Sequence, residues 1–195
     1  NPVFGVEPNR EMREAGERLL AAYPNFTSID GAAEATTLAD QSLDFVTAGQ
    51  AFHWFDVAKA RQEFIRILKP QGWAVLIWNM RQTQATPFMA AYEALMHRYA
   101  IDMENTSQEY RVNAAVLAAF YGAAGYQQKN CPNRQTFDFA GVKGRMLSSS
   151  YMPDVGHPHY DAMLAELATI FQAHQVQDTV IIEYETRVYY GHLAA

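Results

Sequence analysis

The sequence is poor in the features that signal disulfide bonding, nucleic-acid binding or membrane insertion. Only one of its 195 residues, Cys131, is a cysteine, so no internal disulfide can form. Lysine and arginine total 15 against 21 acidic residues, and no basic stripe could neutralise nucleic-acid phosphates. The longest strongly apolar run, Trp73–Trp78, is far shorter than the ~20 residues that span a bilayer. We therefore expect neither nucleic-acid nor membrane partners.

The residues that are present have the composition of an ordinary globular domain. Hydrophobic residues make up 49% and charged residues 18% of the chain, which is long enough to bury one good core. The net charge is −6. No signal-peptide pattern is found. We therefore expect a soluble, cytoplasmic protein, and the sequence predicts nothing about its oligomeric state.

Strand and helix patterns alternate in the first 80 residues. Short apolar runs at 3–7, 26–29 and 43–46 predict strands, and apolar residues at helical spacing follow Asn9 and Asp56, which are good N-caps. The run Trp73–Trp78 has no polar alternation, which predicts a strand buried on both faces of a parallel sheet. This alternation is the βαβ rhythm of a doubly wound sheet.

The remainder of the chain is mostly helical in pattern until a last strand. Apolar spacing predicts helices over 88–99, 113–122, 142–151 and 160–174, and a strand interrupted near Pro132. Residues 179–190 alternate clearly as a long strand.

The stretch 42–56 is the strongest candidate for chemistry. It reads as a strand that ends at Gly49 and is followed by Gln50, His53 and Trp54. Ligands of open α/β sheets bind at the carboxyl ends of strands, so these polar and aromatic side chains mark the place where a ligand is expected.

Four segments resemble the class I S-adenosylmethionine-dependent methyltransferases, especially the group around ubiquinone-biosynthesis and trans-aconitate methyltransferases. Residues 3–9 resemble the family's second strand with its terminal acid, and 30–34 the turn that contacts adenine. Residues 42–56 are similar to the fourth strand and its Gln-Ala-Phe-His-Trp-Phe turn, and 63–79 to the following helix and fifth strand. The resemblance implies a methyltransferase of EC 2.1.1 type that uses S-adenosyl-L-methionine.

Two departures from the family pattern stand out. Ala32 occupies a position where family members often carry Asp, so only backbone contacts to the adenine are expected there. The first strand and its glycine-rich loop, expected ~20 residues before Glu7, are absent from the sequence. Such a strand would lie between the family's second and fourth strands. We therefore expect the natural protein to have a further N-terminal segment.

The resemblance assigns cofactor binding to residues that follow three strands: Glu7, Pro8, Asn9, Ala32, Ala33, Gln50 and Ala51. The Glu7 carboxylate suits the ribose because it can accept two hydroxyl hydrogen bonds, although it could instead complement a helix dipole. Ala32 and Ala33 could offer N–H groups to the adenine or simply form a tight turn. Gln50 and Ala51 are placed beside the methionine part, unless their role is helix packing.

His53 is the predicted catalytic residue, which could orient the substrate or accept its proton. The residues predicted to bind the methyl acceptor are Trp54, Asn79, Arg145 and Tyr151. His53 could equally be structural, and Trp54, with Phe52 and Phe55, could be either an aromatic wall for the sulfonium or part of the core. Arg145 would hold a carboxylate acceptor, or lie on the surface.

No metal site is expected. His157 and His159 are too close in sequence for a typical structural zinc site, and a solvated loop or substrate lid fits them better.

We therefore predict a Rossmann-like α/β fold with a doubly wound, mostly parallel sheet, an antiparallel C-terminal strand and helices on both faces. Residues 1–195 form a single domain in this interpretation, with a cofactor-binding half (1–80), a helical insert or lid (81–175) and the final strand (176–195). The predicted function is methylation of a small molecule. The alternatives are an NAD(P)-dependent oxidoreductase and a non-catalytic binding domain that has lost the cofactor loop.

Overall fold

The structure is a computed structural model, and it describes residues 1–101 and 113–193. The described strands are β1 (Val3–Val6), β2 (Phe26–Ile29), β3 (Leu43–Gly49), β4 (Leu68–Arg81), β5 (Gln127–Phe137) and β6 (Val180–Gly191). The described α-helices are α1 (Arg10–Leu19), α2 (Val57–Ile67), α3 (Pro87–Tyr99), α4 (Ala114–Tyr121), α5 (Phe139–Leu147) and α6 (Tyr160–His174). A short 3-10 helix spans Phe52–Trp54. The predicted α/β class is confirmed.

Side chains that were predicted to cap helices do so. Asn9 accepts a hydrogen bond from the N–H of Met12 at 3.0 Å and begins α1, and Asp56 accepts one from the N–H of Lys59 at 3.2 Å and begins α2. Each cap satisfies a backbone donor that the first helical turn would otherwise leave without a partner.

Several elements differ from the sequence prediction. β4 starts at Leu68 rather than at Trp73, β5 runs through Pro132 without interruption, and α5 ends at Leu147 rather than near 151. The burial of β4 also differs, because residues 73–78 alternate between half-buried and buried. The described residues cover one face of this strand fully and the other only in part.

The strands form two sheets. β1 and β2 pair in parallel, with Val3 opposite Phe26. The second sheet has the order β3-β4-β6-β5, and β3 and β4 pair in parallel with Phe45 opposite Trp73. Contacts along β4 and β6 run in opposite order: His192 Nδ1 lies 3.0 Å from the oxygen of Gly72, whereas the N–H of Gln82 donates to the oxygen of Glu183. β6 is therefore antiparallel to β4, and the sheet is mixed.

β1 and β3 are each an edge strand of their sheet, and each exposes an aromatic side chain. Phe4 is 39% and Phe45 61% exposed. No strand among the described residues pairs with the outer edge of either one. The additional N-terminal strand expected from the family pattern stays a prediction.

The chain divides into two compact units. Within the described ranges, the first contains 1–77, 113–128 and 189–193, and the second contains 78–101 and 129–188. An edge-to-face aromatic group of Phe52, Phe64 and Phe120 lies in the first unit. The second has a core in which α3, α5, α6 and β6 pack around Tyr92, Met146 and Leu167.

Within the ranges that the structure describes, no helix combines the length and the apolar character that crossing a membrane requires.

Candidate functional site

Glu7 follows β1 directly and offers an oxygen acceptor. Its Oε1 accepts a hydrogen bond from the N–H of Asn9 at 2.8 Å, whereas its second carboxylate oxygen accepts none from the described residues. Arg13 bonds the backbone oxygen of Glu7 at 2.9 Å and Asp30 Oδ2 at 3.1 Å. Arg13 thus joins the ends of β1 and β2 without neutralising the Glu7 carboxylate.

The turn after β2 is closed by its own backbone. Ala32 N–H donates to the oxygen of Ala35 at 3.3 Å, and Ala35 N–H donates back at 3.0 Å. Thr36, in the following residues, is buried and donates its N–H and its hydroxyl to Glu63 Oε1, at 2.8 and 2.6 Å. The position of this turn is therefore fixed against α2.

The end of β3 changes direction through a left-handed residue. Gln50 has φ +55°, which is uncommon for a residue with a Cβ, while its N–H still bonds the oxygen of Ile77 at 2.9 Å. A Cβ added to Gly49 would meet no atom of the described residues within 4 Å. Backbone outliers of this kind cluster at ligand-binding sites, and here one lies at the carboxyl end of a strand beside open space.

The aromatic turn divides into a buried and an exposed part. Phe52 is 1% exposed, with its ring centroid 4.8 Å from that of Phe120. Trp54 is 68% exposed, and the half-buried His53 has its ring centroid 4.9 Å from that of Trp54. Phe52 is therefore part of the core, whereas Trp54 is mostly exposed; the sequence alone left both alternatives open for each.

Asn79 lies in a polar network on the second unit. Its Oδ1 accepts hydrogen bonds from Thr186 Oγ1 at 2.7 Å and from Asn133 Nδ2 at 3.3 Å. These bonds join side chains of β4, β6 and β5, and the substrate role of Asn79 stays a prediction.

Arg145 and Tyr151, the other predicted substrate residues of this unit, lie in what we call the Arg–Tyr cluster: Arg81, Tyr92, Arg145, Tyr151 and Tyr184. Arg145 Nε donates to the Tyr184 hydroxyl at 3.3 Å, and Arg81 Nη2 donates to the Tyr151 hydroxyl at 3.4 Å. Sequence reasoning missed Arg81, Tyr92 and Tyr184. Tyr92 and Tyr184 occupy apolar faces of α3 and β6, where apolar spacing does not distinguish a functional tyrosine from a core tyrosine.

The charges of this cluster change the ionisation of its members. Burial acts to lower the pKa of Arg81, but interactions with Tyr151 and Glu93 outweigh it and raise the pKa. Burial raises the pKa of Tyr92, while the charges of Arg81 and Arg145 act to lower it. Both guanidinium groups therefore act on the Tyr92 hydroxyl.

The second unit also has a cavity of about 340 Å³. No residue that the sequence assigned to a site lines it. Its lining residues are Gln82, Ala85, Thr86, Asn130, Cys131, Pro132, Glu183, Tyr184 and Glu185.

The histidine pair at 157–159 is held by its own loop. The N–H of His159 donates to His157 Nδ1 at 3.2 Å, and the two ring centroids are 5.4 Å apart. Across the described residues, no three His, Cys, Asp or Glu side chains group in a way that could hold a metal ion.

Comparison with known proteins identifies relatives of this chain. Residues 1–76 match the family model of the methyltransferase domain. An uncharacterized methyltransferase of Schizosaccharomyces pombe is 30% identical over 170 residues, which are 87% of this chain and 64% of that protein. A demethylmenaquinone methyltransferase of Chlorobaculum parvum is 45% identical over 79 residues, 40% of this chain and 32% of that protein. The chain thus spans less than two thirds of these curated relatives.

Solved structures show the same fold. A protein of Anaeromyxobacter dehalogenans, assigned as a type II methyltransferase, has a TM-score of 0.67 at 18% identity, covering 98% of this chain and 80% of that one. A protein of Bacillus halodurans, also assigned as a methyltransferase, has a TM-score of 0.54 at 16% identity, covering 100% of this chain and 84% of that one. Residues 1–76 therefore match the methyltransferase domain, and these structures, at 18% and 16% identity, show that the chain has their fold.

Proposed function

We propose that the chain is part of an enzyme that transfers the methyl group of S-adenosyl-L-methionine to a small molecule. The observation that carries the proposal is Glu7, a carboxylate placed directly after β1 with one oxygen not engaged by the described residues. It lies inside the segment that matches the methyltransferase domain. At the end of β3, no described residue lies within 4 Å of a Cβ added to Gly49, and this space fits the same cofactor.

Each predicted cofactor-binding residue of the first unit then has a defined role. Glu7 accepts hydrogen bonds from ribose hydroxyls, with Pro8 and Asn9 fixing the start of α1 beside it. Because the Ala32 N–H is already bonded to Ala35, a backbone contact to the adenine falls to Ala33. Gln50 and Ala51, next to the open position at Gly49, bind the methionine part.

When bound, S-adenosyl-L-methionine supplies a methyl group that its sulfonium charge already activates. The chain's own contribution is therefore to hold the reactants in line and to exclude water. His53 suits the removal of a proton from a hydroxyl, amine or carbon acid, since an imidazole titrates near neutral pH. Trp54 presents an exposed aromatic face, which attracts cationic groups or packs against an apolar acceptor.

The proposal includes a soluble, cytoplasmic enzyme without nucleic-acid, membrane or metal partners. The acidic net charge of −6 supports this, because a general nucleic-acid binder needs clustered positive charge.

Calorimetric titration with S-adenosylhomocysteine and, in parallel, with NADH tests the proposal. We expect S-adenosylhomocysteine to bind and NADH not to bind. Binding of NADH alone would support an oxidoreductase, and binding of neither would support a non-catalytic domain; either result overturns the proposal.

Glu7→Ala tests the ribose assignment in the same titration. Hydrogen bonds to a charged group contribute about 1.5–3 kcal/mol, so the variant should bind S-adenosylhomocysteine roughly 10- to 100-fold more weakly. Glu11→Ala is the matched control, since Glu11 is an exposed glutamate in the first turn of α1. Undiminished binding by Glu7→Ala would refute the assignment.

A further inference from the structure

Glu34 connects the turn after β2 with the residue that caps α2. Its Oε1 accepts a hydrogen bond from the N–H of Asp56 at 2.7 Å, although the two residues are 22 positions apart in sequence. Glu34 directly follows Ala33, and Asp56 follows the aromatic turn that contains His53 and Trp54. The bond therefore joins two segments of the first unit that follow different strands, β2 and β3.

The start of α2 takes this acceptor from a distant part of the chain because its own sequence offers none at the usual position. Asp56 is the N-cap residue, and its Oδ1 accepts the N–H of Lys59 at 3.2 Å. In a complete capping box, a Glu or Gln at the third helical position accepts the N–H of the N-cap residue in return. That position is occupied by Lys59, whose ammonium group can only donate. Glu34 thus supplies the second half of the capping box.

Both connected segments contain a residue with a left-handed backbone. Thr37 has φ +62° and Gln50 has φ +55°. Such conformations cost free energy in residues with a Cβ, above all in a β-branched residue such as Thr37, and they persist only where surrounding contacts hold them. Thr36 and Glu63 attach the end of the first segment to α2, and the Glu34 bond attaches it to the start of the same helix. The first segment is therefore held at two points, of which the Glu34 bond is the one next to the aromatic turn.

We propose that Glu34 is a positioning residue, which sets the spacing between the adenine end and the methionine end of the cofactor site. This inference rests on the proposed function, in which Ala33 contacts the adenine while Gln50 and Ala51 bind the methionine part. The Glu34–Asp56 bond joins the segments that carry these residues. Two segments that are already held at the right spacing bind a ligand more tightly, because less ordering remains to be done on binding.

Two substitutions of Glu34 test the inference by calorimetric titration with S-adenosylhomocysteine. Glu34→Ala removes the acceptor and should weaken binding roughly 3- to 10-fold, which corresponds to the net contribution of one hydrogen bond. Glu34→Gln keeps an oxygen acceptor and should bind within about twofold of the wild type. Equal affinities of Glu34→Ala and the wild type would overturn the inference, and so would a Glu34→Gln variant that binds as weakly as Glu34→Ala.

Glu17→Ala is the control for the loss of a negative charge. Glu17 is an exposed glutamate of α1 in the same unit, so this variant should bind S-adenosylhomocysteine like the wild type. A loss of affinity equal to that of Glu34→Ala would mean that net charge, rather than the bond to Asp56, is the cause, and would overturn the inference.

A local capping box separates positioning from helix stability. In the double variant Glu34→Ala/Lys59→Gln, the introduced glutamine can accept the N–H of Asp56 within the helix itself. The melting temperature, which Glu34→Ala should lower, is then expected to recover, whereas S-adenosylhomocysteine should still bind weakly because the two segments remain unconnected. Lys59→Gln alone should bind like the wild type, since Glu34 keeps its bond. Recovery of both melting temperature and affinity in the double variant would make Glu34 a helix cap only and overturn the proposal.

Titration of the wild type distinguishes failure of this inference from failure of the proposed function. A wild type that binds S-adenosylhomocysteine, together with a Glu34→Ala variant that binds it equally well, refutes only the positioning role. A wild type that binds no S-adenosylhomocysteine refutes the proposed function, and the positioning role with it.

Discussion

Glu63 joins the connection before β3 to helix α2. Its carboxylate accepts hydrogen bonds from Arg66 at 2.8 and 2.7 Å and from Thr36 at 2.8 and 2.6 Å, and its side chain is 10% exposed. Hydrogen bonds from Arg66, and then those from Thr36, lower the pKa of Glu63 from 4.5 to about 2 against the effect of burial. A single carboxylate thereby fixes the turn on which the adenine contact is proposed.

We expect Glu63→Gln to lower the free energy of unfolding by about 1–3 kcal/mol at neutral pH, since it removes charge-assisted hydrogen bonds. Because the folded pKa lies below the ordinary value, ionised Glu63 stabilises the folded protein fully above pH 4.5 and loses this effect as the pH falls toward about 2. The difference between wild type and variant should therefore narrow on acidification.

Urea denaturation at a series of pH values from 7 to 3 measures this difference. Asp44→Asn is a control for a general charge effect, because the Asp44–Lys69 pair is exposed and should contribute at most about 1 kcal/mol. A Glu63→Gln difference that is the same at pH 7 and pH 3 would show that ionisation of Glu63 is not the cause.

Among elements, the start of β4 is the one that the sequence predicted least well. The sequence predicts this strand only from Trp73, after Lys69, Pro70, Gln71 and Gly72. In the structure the β3–β4 pairing shifts across them, from Leu43 opposite Leu68 to Phe45 opposite Trp73. Gln71 has φ +69°, and a Cβ on Gly72 would lie 3.0 Å from the oxygen of Lys69. The turn residues are thus accommodated as an irregularity inside the strand.

Gly72→Ala should destabilise the protein by about 1–3 kcal/mol, because the added methyl group meets backbone oxygens that cannot move without breaking the sheet. Gln71→Gly, one residue earlier, should change the free energy of unfolding by no more than about 1 kcal/mol, since glycine tolerates positive φ. Chemical denaturation of both variants measures this contrast. Equal effects would mean that the irregularity is not sterically constrained at Gly72.

At the scale of the whole molecule, the proposed cofactor residues all lie in the first unit, although they are distant in sequence. They follow β1, β2 and β3, whose carboxyl ends carry Glu7, the Ala32–Ala33 turn and Gln50. Residues that follow the strands of a parallel pair lie at one edge of their sheet. The proposed cofactor site is therefore built from three separate segments of the chain.

Hydrogen exchange with and without S-adenosylhomocysteine tests this distribution. Protection should increase at residues 7–10 and 50–54, because ligand binding reduces local opening at the segments it contacts. The Glu7→Ala variant, at the same ligand concentration, should show little added protection. Protection confined to residues of the second unit would contradict the cofactor assignment.

The sequence predicted much of the fold because its signals are local. β2 and α6 have the predicted bounds, and Asn9 and Asp56 cap helices as expected. Apolar spacing and capping chemistry act within a few residues, so they are visible without any tertiary information. The part of the candidate site that could be predicted consists of residues that directly follow strands, because the strands themselves were predicted from local pattern.

The sequence by itself determined the α/β class, the family resemblance and the identity of the strand-end residues, since each depends on local pattern and order. Only the tertiary structure decided which aromatic residue is buried, with Phe52 in the core and Trp54 exposed. It also brought Arg81 to the Tyr151 hydroxyl and Arg145 to the Tyr184 hydroxyl across large sequence separations. Burial and charge pairing depend on which side chains meet in space, and no local pattern carries that information.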